Sequence, residues 1–207
     1  MHAMSPDCEQ LGERDVRGRL GAARVAIVGC GGLGSNVAAL LLRSGVRRLT
    51  LIDFDRVAAD NLNRQLFFAD QVGELKTEAL ANTLRRIDPD AQLRLVNERV
   101  SEAGLAALVA DADAVVEAVD DAATKTMIVN VCSRELAGVP LVAASGLAGY
   151  APANLIQSEQ LAGNLYVVGD LSSDVRDGHA LLASRVMVAA AHQAHAVVRL
   201  LLGCEEI

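Results

Sequence analysis

Aromatic side chains are nearly absent from this chain of 207 residues, which has no Trp, two Tyr and three Phe. With so few stacking platforms and a net charge of −7, it lacks the aromatic ladder and the basic footprint that nucleic-acid binding draws on, and no nucleic-acid partner is expected. Cysteine is sparse as well. Cys8, Cys30, Cys132 and Cys204 are scattered and form no CxxC pair, so neither a zinc knuckle nor a disulfide framework is expected and a reduced, cytoplasmic protein is inferred. The N-terminal stretch MHAMSPDCEQLGERD has no apolar segment, and no secretory signal is expected. The most apolar stretch, Leu181 to Leu202, is broken by Arg185, His192, Gln193, His195 and Arg199; these would be costly in lipid, and the stretch reads as a buried or dimer-forming helix.

What the chain has is glycine in one informative place. In VAIVGCGGLGSN, Gly29, Gly31 and Gly34 stand where a buried-looking strand turns into a helix, and about twenty residues later a second strand ends in LIDFD at Asp53. A glycine turn lets backbone approach phosphate, a helix start supplies free N–H donors, and a carboxylate at that distance can hold ribose hydroxyls. A plain dinucleotide-binding domain would need no more than this. The segment NLNRQ, however, puts Arg64 just past the ribose carboxylate, and Lys76 follows in the next helix. Added cations favour phosphate chemistry over hydride transfer.

At 207 residues the chain fits one α/β domain, for which a hydrophobic share of 52% is more than enough, and two independent domains are not expected. The expected fold is a Rossmann-like, mostly parallel sheet flanked by helices, with antiparallel strands and a long helix at the C-terminal end. An N-terminal helical arm over 1–22 precedes a single domain over 23–207. Parallel strands are expected at 24–29, 48–53, 92–97, 113–119 and 139–145, and ANLIQS and NLYVVG read as a shorter antiparallel pair. A helix is expected from Gly73 to about Asp88, ended by Pro89; it puts Lys76 in its first turn, near the inward face, where the helix dipole disfavours a cation unless an anion compensates. The bland alternative is a lysine snorkelling over its own helix. Helices are also expected over about 122–136 and 178–202. Asp120 reads either as the N-cap of the first of these or, because the C-terminal strand ends share one edge, as a third member of a crevice with Gly29 and Asp53.

The series GCGGLGSN, LIDFD, NLNRQ, GELKTEAL with RIDP, EAVDD and AASGLAGY resembles the ThiF/MoeB/HesA group of adenylating enzymes, bacterial relatives of ubiquitin-activating enzymes, over nearly the whole chain. The short length, with GLAGY, YVVGD and HQAHAVVRLLLG, is most similar to the compact ThiF form of thiamine biosynthesis. The resemblance implies an enzyme that uses ATP and Mg²⁺ to activate the C-terminal glycine carboxylate of a ubiquitin-like sulfur carrier, ThiS-like here, as an acyl-adenylate. It assigns Gly31, Gly32 and Gly34 to the phosphate and adenosine turn, Asp53 to the ribose hydroxyls, and Asn61, Arg64, Lys76 and Asp120 to the nucleotide, with Asp120 near the metal. Asp55 and Gln65 are counted with the nucleotide contacts. It further implies a homodimer in which Arg14, or Arg17, reaches the neighbouring subunit's ATP. The family's zinc cysteines are missing, so no structural zinc is expected; no cysteine stands at 145–165, and Asp121 replaces an asparagine usual there.

Other readings use fewer residues. An NAD-dependent oxidoreductase would leave Arg64, Lys76 and Asp120 without a task, and a non-catalytic docking protein for a ubiquitin-like partner would need none of them. His192 and His195 share a helix face but lack a visible third metal ligand. Cys30 reads as a small residue filling the turn rather than a reactive thiol.

Overall fold

Alternation along the strands sorts the core into two layers. In the computed structural model, which describes residues 10–204 and 206–207, seven strands form one sheet: β1 (Arg24–Val28), β2 (Arg48–Ile52), β3 (Gln92–Val96), β4 (Ala114–Glu117), β5 (Leu141–Ala144), β6 (Gln157–Ala162) and β7 (Leu165–Gly169). Their order is β3-β2-β1-β4-β5-β7-β6. Val25, Ile27, Leu49, Leu51, Val116 and Val142 face one side, packed with α2 (Gly32–Arg43), α3 (Lys76–Ile87) and α6 (Ala183–Leu201). Ala26, Val28, Ile52, Val115 and Leu141 face the other, under α4 (Glu102–Leu108) and α5 (Ala122–Glu135). Residues buried from both sides explain why these strands read as continuous apolar runs. The order reverses between β1 and β4, and in such sheets the crevice at the reversal is the ordinary place for a ligand.

All pairings among the first six strands in this order are parallel, and only β6 runs antiparallel, on the edge beside β7. The expected antiparallel pair therefore exists, but β7 also extends the parallel sheet, and β6 begins at Gln157 because residues after Pro152 coil into a short 3-10 turn, Ala153–Leu155. Two helix starts also differ from expectation. α3 begins at Lys76 rather than Gly73, since residues 73–76 are paired with 55–57 through Gly73 N–H to Val57, Val57 N–H to Glu74 and Lys76 N–H to Asp55. α6 begins at Ala183, after Gly178 takes a left-handed φ of 83°. At the other end of the chain, α1 (Glu13–Ala22) is tied to the end of α6 by Arg19 Nη1 donating to Leu202 O at 2.9 Å; the first nine residues of the expected arm, Cys8 among them, lie outside the described residues.

α6 is a core helix: Val186, Ala189, Ala190, Ala194 and Val197 are buried against the sheet and α2. Among the described residues, no helix is long and apolar enough to cross a membrane. Its buried Arg185 pairs with buried Asp170 at 2.5 Å and donates to the carbonyl of Ala151, tying helix, β7 exit and glycine loop together. Burial opposes ionisation of Asp170, but the backbone N–H groups of Ser173 and Ser172 and the Arg185 guanidinium outweigh it and hold its pKa at about 2. A depressed carboxylate stabilises the fold above its unfolded pKa and loses that contribution as pH falls through the folded value. Between pH 4 and pH 2 the protein should lose about 2 kcal/mol through this group. Acid melts of Asp170→Asn should show a correspondingly shallower slope over that interval.

The expectation of four reduced cysteines is only partly met. Cys30 and Cys132 are free and buried, and burial raises the Cys132 thiol to about 11; Cys204, by contrast, is disulfide-bonded.

Candidate active site

Between β1 and α2 the chain turns on glycine for two separate reasons. Gly29 has φ of 97°, and a Cβ there would meet Ala118 O at 2.6 Å; Gly34 lies so close to the strand that its Cβ would sit 1.8 Å from Gly29 O. The first lets the chain leave the strand, and the second lets helix pack on strand. Gly31 differs, for a Cβ there would find only Gln65 Nε2, at 3.7 Å. It faces a cradle rather than a wall. No side chain caps α2, so N–H donors of its first turn stay available to an anion.

Asp53, at the exit of β2, closes one side of the turn. Its Oδ2 accepts from Cys30 N–H at 2.6 Å and its Oδ1 from Asp55 N–H at 2.8 Å, which fixes the carboxylate while leaving lone pairs for a hydroxyl donor. The ribbon made by 55–57 and 73–76 then sets Asp55 opposite Lys76, and Lys76 Nζ donates to Asp55 Oδ2 at 2.8 Å. The lysine side chain is 8% exposed against 47% for its partner. It does not snorkel: the compensating anion its position calls for is Asp55. Burial pushes the Cys30 thiol well up; the Asp53 carboxylate adds to that shift and the Lys76 ammonium opposes it, so both charges act at the glycine turn. A thiol raised this way is an inert filler.

The first turn of α2 also holds the loop that carries Arg64. Ser35 Oγ donates to Gly31 O and accepts from Leu66 N–H, and Asn36 Nδ2 donates to Gly32 O and Arg64 O. The Arg64 stem thus lies against the helix start, its Cγ 3.6 Å from where a Gly32 Cβ would be. Its guanidinium meets only neutral acceptors among the described residues, Asn63 Oδ1 at 2.8 Å and Asp60 O at 3.3 Å, and so has no counter-ion among them. Gln65 carries a buried Oε1 with no partner among the described residues. The backbone carbonyl of Asn61 accepts from the N–H groups of Arg64 and Gln65, which shapes the loop.

Beyond β4 the two adjacent aspartates divide their work. Asp121, not Asp120, caps α5, its Oδ2 accepting from Thr124 N–H at 2.7 Å. Asp120 is exposed and has no hydrogen bond or ion pair among the described residues. Loss of a cap destabilises a helix start, so thermal melts should show Asp121→Ala with a lowered midpoint and Asp120→Ala with a midpoint close to the parent's. On the N-terminal helix, Arg14 is exposed and unpaired among the described residues, whereas Arg17 pairs with Glu13.

The resulting arrangement is an uncapped helix start, a fixed carboxylate, a buried lysine and an arginine without a counter-ion among the described residues, all at the C-terminal edge of the sheet. The ThiF family pattern matches residues 7–207. The chain belongs to the ThiF family. This ThiF-family chain is 40% identical over 126 residues to molybdopterin-synthase adenylyltransferase of Escherichia coli, covering 60% of itself and 50% of that protein. It is 33% identical over 134 residues to tRNA threonylcarbamoyladenosine dehydratase of Haemophilus influenzae, covering 64% and 51%. The chain therefore spans about half the length of the relatives it matches. In fold it is similar to E. coli tRNA N6-threonylcarbamoyladenosine dehydratase solved with ATP, with a TM-score of 0.84 at 24% identity, covering 95% of this chain and 92% of that one.

Sequence reasoning missed the residues that hold the others in place. Ser35 and Asn36 were legible only as the polar end of GLGSN, and their hydrogen bonds to the 61–66 loop are long-range. Glu117 gave a better signal, being a charge inside the apolar run VVEAV. It is fully buried, with Lys125 of α5 donating to its Oε2 and Gln193 of α6 donating to its carbonyl. Burial raises its pKa, and Lys125 opposes the shift. His192 bonds Ser158 rather than pairing with His195, and among the described residues no group of three ligands could hold a metal.

Proposed function

We propose that this chain is an ATP-dependent adenylyltransferase that activates the C-terminal glycine carboxylate of a small ubiquitin-like sulfur carrier, of the ThiS kind. The observation that carries the reading is Arg64: a cation packed on an uncapped helix start, with no anion of its own among the described residues. The Gln65 amide nitrogen beside Gly31, a donor, and the open cradle there fit a polyphosphate passing over the turn, with the ribose at Asp53. An NAD enzyme would leave Arg64, Lys76 and Asp120 idle. The molybdopterin-synthase adenylyltransferase named above supports the reaction class.

In this reading a carboxylate oxygen of the carrier attacks the α-phosphorus, the bond from that phosphorus to the β-bridging oxygen breaks, and pyrophosphate departs. The attacking carboxylate is already ionised at neutral pH, so no general base is required. Arg64 and Lys76 offset charge growing on the leaving group, Asp55 orients Lys76, and Asn61 and Gln65 flank the phosphates. Mg²⁺ would bind Asp120 together with phosphate oxygens, the usual arrangement for this ion, and would supply further charge neutralisation. The partner copy of a homodimer would bring Arg14, or Arg17, to the same phosphates.

Carrier-dependent exchange of labelled pyrophosphate into ATP tests the proposal, with ThiS-like and molybdopterin-type carriers and tRNA as separate arms, the last because one relative is named for a tRNA modification. Exchange with a carrier supports it. Tight NADH binding without exchange, or exchange driven by tRNA alone, contradicts it.

A further inference from the structure

The ladder between β4 and β5 is short. It pairs Val115 with Leu141 and Val116 with Val142 and goes no further, so past that point the exits of the two strands are joined by side chains. Gln193 of α6 donates from one face to Glu117 O at 3.0 Å and to Val142 O at 3.2 Å. From the other face, Lys125 of α5 donates to Ala144 O at 2.9 Å and to Glu117 Oε2. The Glu117 side chain is 0% exposed and that of Lys125 29%.

A buried ion pair is weak evidence for stability, because the cost of desolvating both charges offsets their attraction and apolar residues of like volume often serve a core as well. The second oxygen of Glu117 shows another use. Its Oε1 accepts from Val119 N–H at 2.9 Å, so the carboxylate reaches two residues ahead and holds the backbone as it leaves the strand. Val119 N in turn stands 3.0 Å from where a Gly29 Cβ would be, against the glycine turn. Next comes Asp120, exposed and without a hydrogen bond or ion pair among the described residues, and then Asp121, whose cap fixes the start of α5. Asp120 is thus placed by its neighbours. Its carboxylate is open to a cation such as Mg²⁺, which takes carboxylate oxygens.

We propose that Glu117 is a positioning residue for Asp120: clamped by Lys125, its carboxylate fixes the Val119 amide, and with it the point from which Asp120 meets the metal that accompanies ATP. This rests on the reading of Asp120 given above and deepens it. Outer partners that orient a metal ligand contribute about ten- to a hundredfold to metal affinity or activity.

Calorimetry of the whole chain with ATP, once with Mg²⁺ and once with EDTA, tests this. Glu117→Gln keeps the shape but can accept from only one of Val119 and Lys125; it should weaken ATP about tenfold with Mg²⁺ and leave the affinity in EDTA unchanged. Asp120→Asn should do the same. The double variant should bind no more weakly than Asp120→Asn, because an effect passed through Asp120 vanishes with it. Melting curves check the fold of each variant, and if Glu117→Gln does not fold, Lys125→Met, altered at the more exposed end of the pair, should show a smaller loss of the same kind. Unchanged affinity with Mg²⁺, equal losses with and without it, or losses that add in the double variant would each overturn the proposal and leave Glu117 a brace of the core. A parent protein whose ATP affinity is indifferent to Mg²⁺ would overturn it by a different route, through the reading of Asp120 beneath it.

Discussion

Alanine at Lys76 or at Arg64 should lower carrier-dependent ATP–pyrophosphate exchange by at least about a hundredfold, while the melting temperature of each variant stays near that of the parent. The magnitude follows from removing a charge that offsets the departing pyrophosphate, about 2.7 kcal/mol of transition-state stabilisation. The two residues differ in how they are held. Lys76 is buried and paired to Asp55, so its charge is pre-positioned and its removal frees a half-exposed carboxylate that water can solvate. Arg64 is held through its backbone by Asn36 and meets only neutral acceptors, so its guanidinium can turn to an arriving anion. Lys76→Arg should fail to rescue activity, because a larger head has no room in a site that leaves the lysine 8% exposed. If both alanine variants exchange pyrophosphate like the parent, phosphate chemistry at this rim is wrong.

The second large effect separates two glycines three residues apart. Gly34→Ala would drive a methyl to within 1.8 Å of the Gly29 carbonyl, and neither helix nor strand can retreat, because both are buried in the core. Overpacking of this kind, against backbone rather than a flexible side chain, should cost about 3 kcal/mol or more, seen as a large drop in the unfolding midpoint or loss of soluble protein. Gly31→Ala has open space, with only the Gln65 amide within reach at 3.7 Å. It should fold with a near-parental midpoint and yet bind ATP poorly, because its methyl occupies the cradle. Gly34 serves packing, and Gly31 serves the ligand.

Period and punctuation in the sequence revealed the order of strands and helices because buried parallel strands leave continuous apolar runs and glycines mark the turn. They did not reveal that β7 joins the parallel sheet, since NLYVVG reads the same in either orientation. Local signals also misjudged the start of α3: the pairing of 55–57 with 73–76 is a long-range contact that keeps residues 73–75 out of a helix whose spacing of Leu80 and Leu84 is as expected. That Gly29, Asp53 and Asp120 follow strand ends on one edge of the sheet was legible from topology, whereas Arg64 and Lys76 were legible only as cations close to Asp53 in sequence. What holds those cations in place was not legible, because Ser35, Asn36 and Asp55 act through hydrogen bonds to residues distant in sequence. Asp120 and Asp121 illustrate the limit well: adjacent and chemically alike, only one can cap α5, and the backbone geometry of the turn decides which.

The most direct test is a crystal structure of this chain with Mg²⁺ and ATP. The triphosphate should lie over the Gly31 to Gly34 turn, with the Arg64 guanidinium and Lys76 ammonium in hydrogen-bonding distance of its oxygens and the ribose on Asp53. A nucleotide bound elsewhere, or one on the turn with Arg64 and Lys76 directed into bulk solvent, would contradict the account.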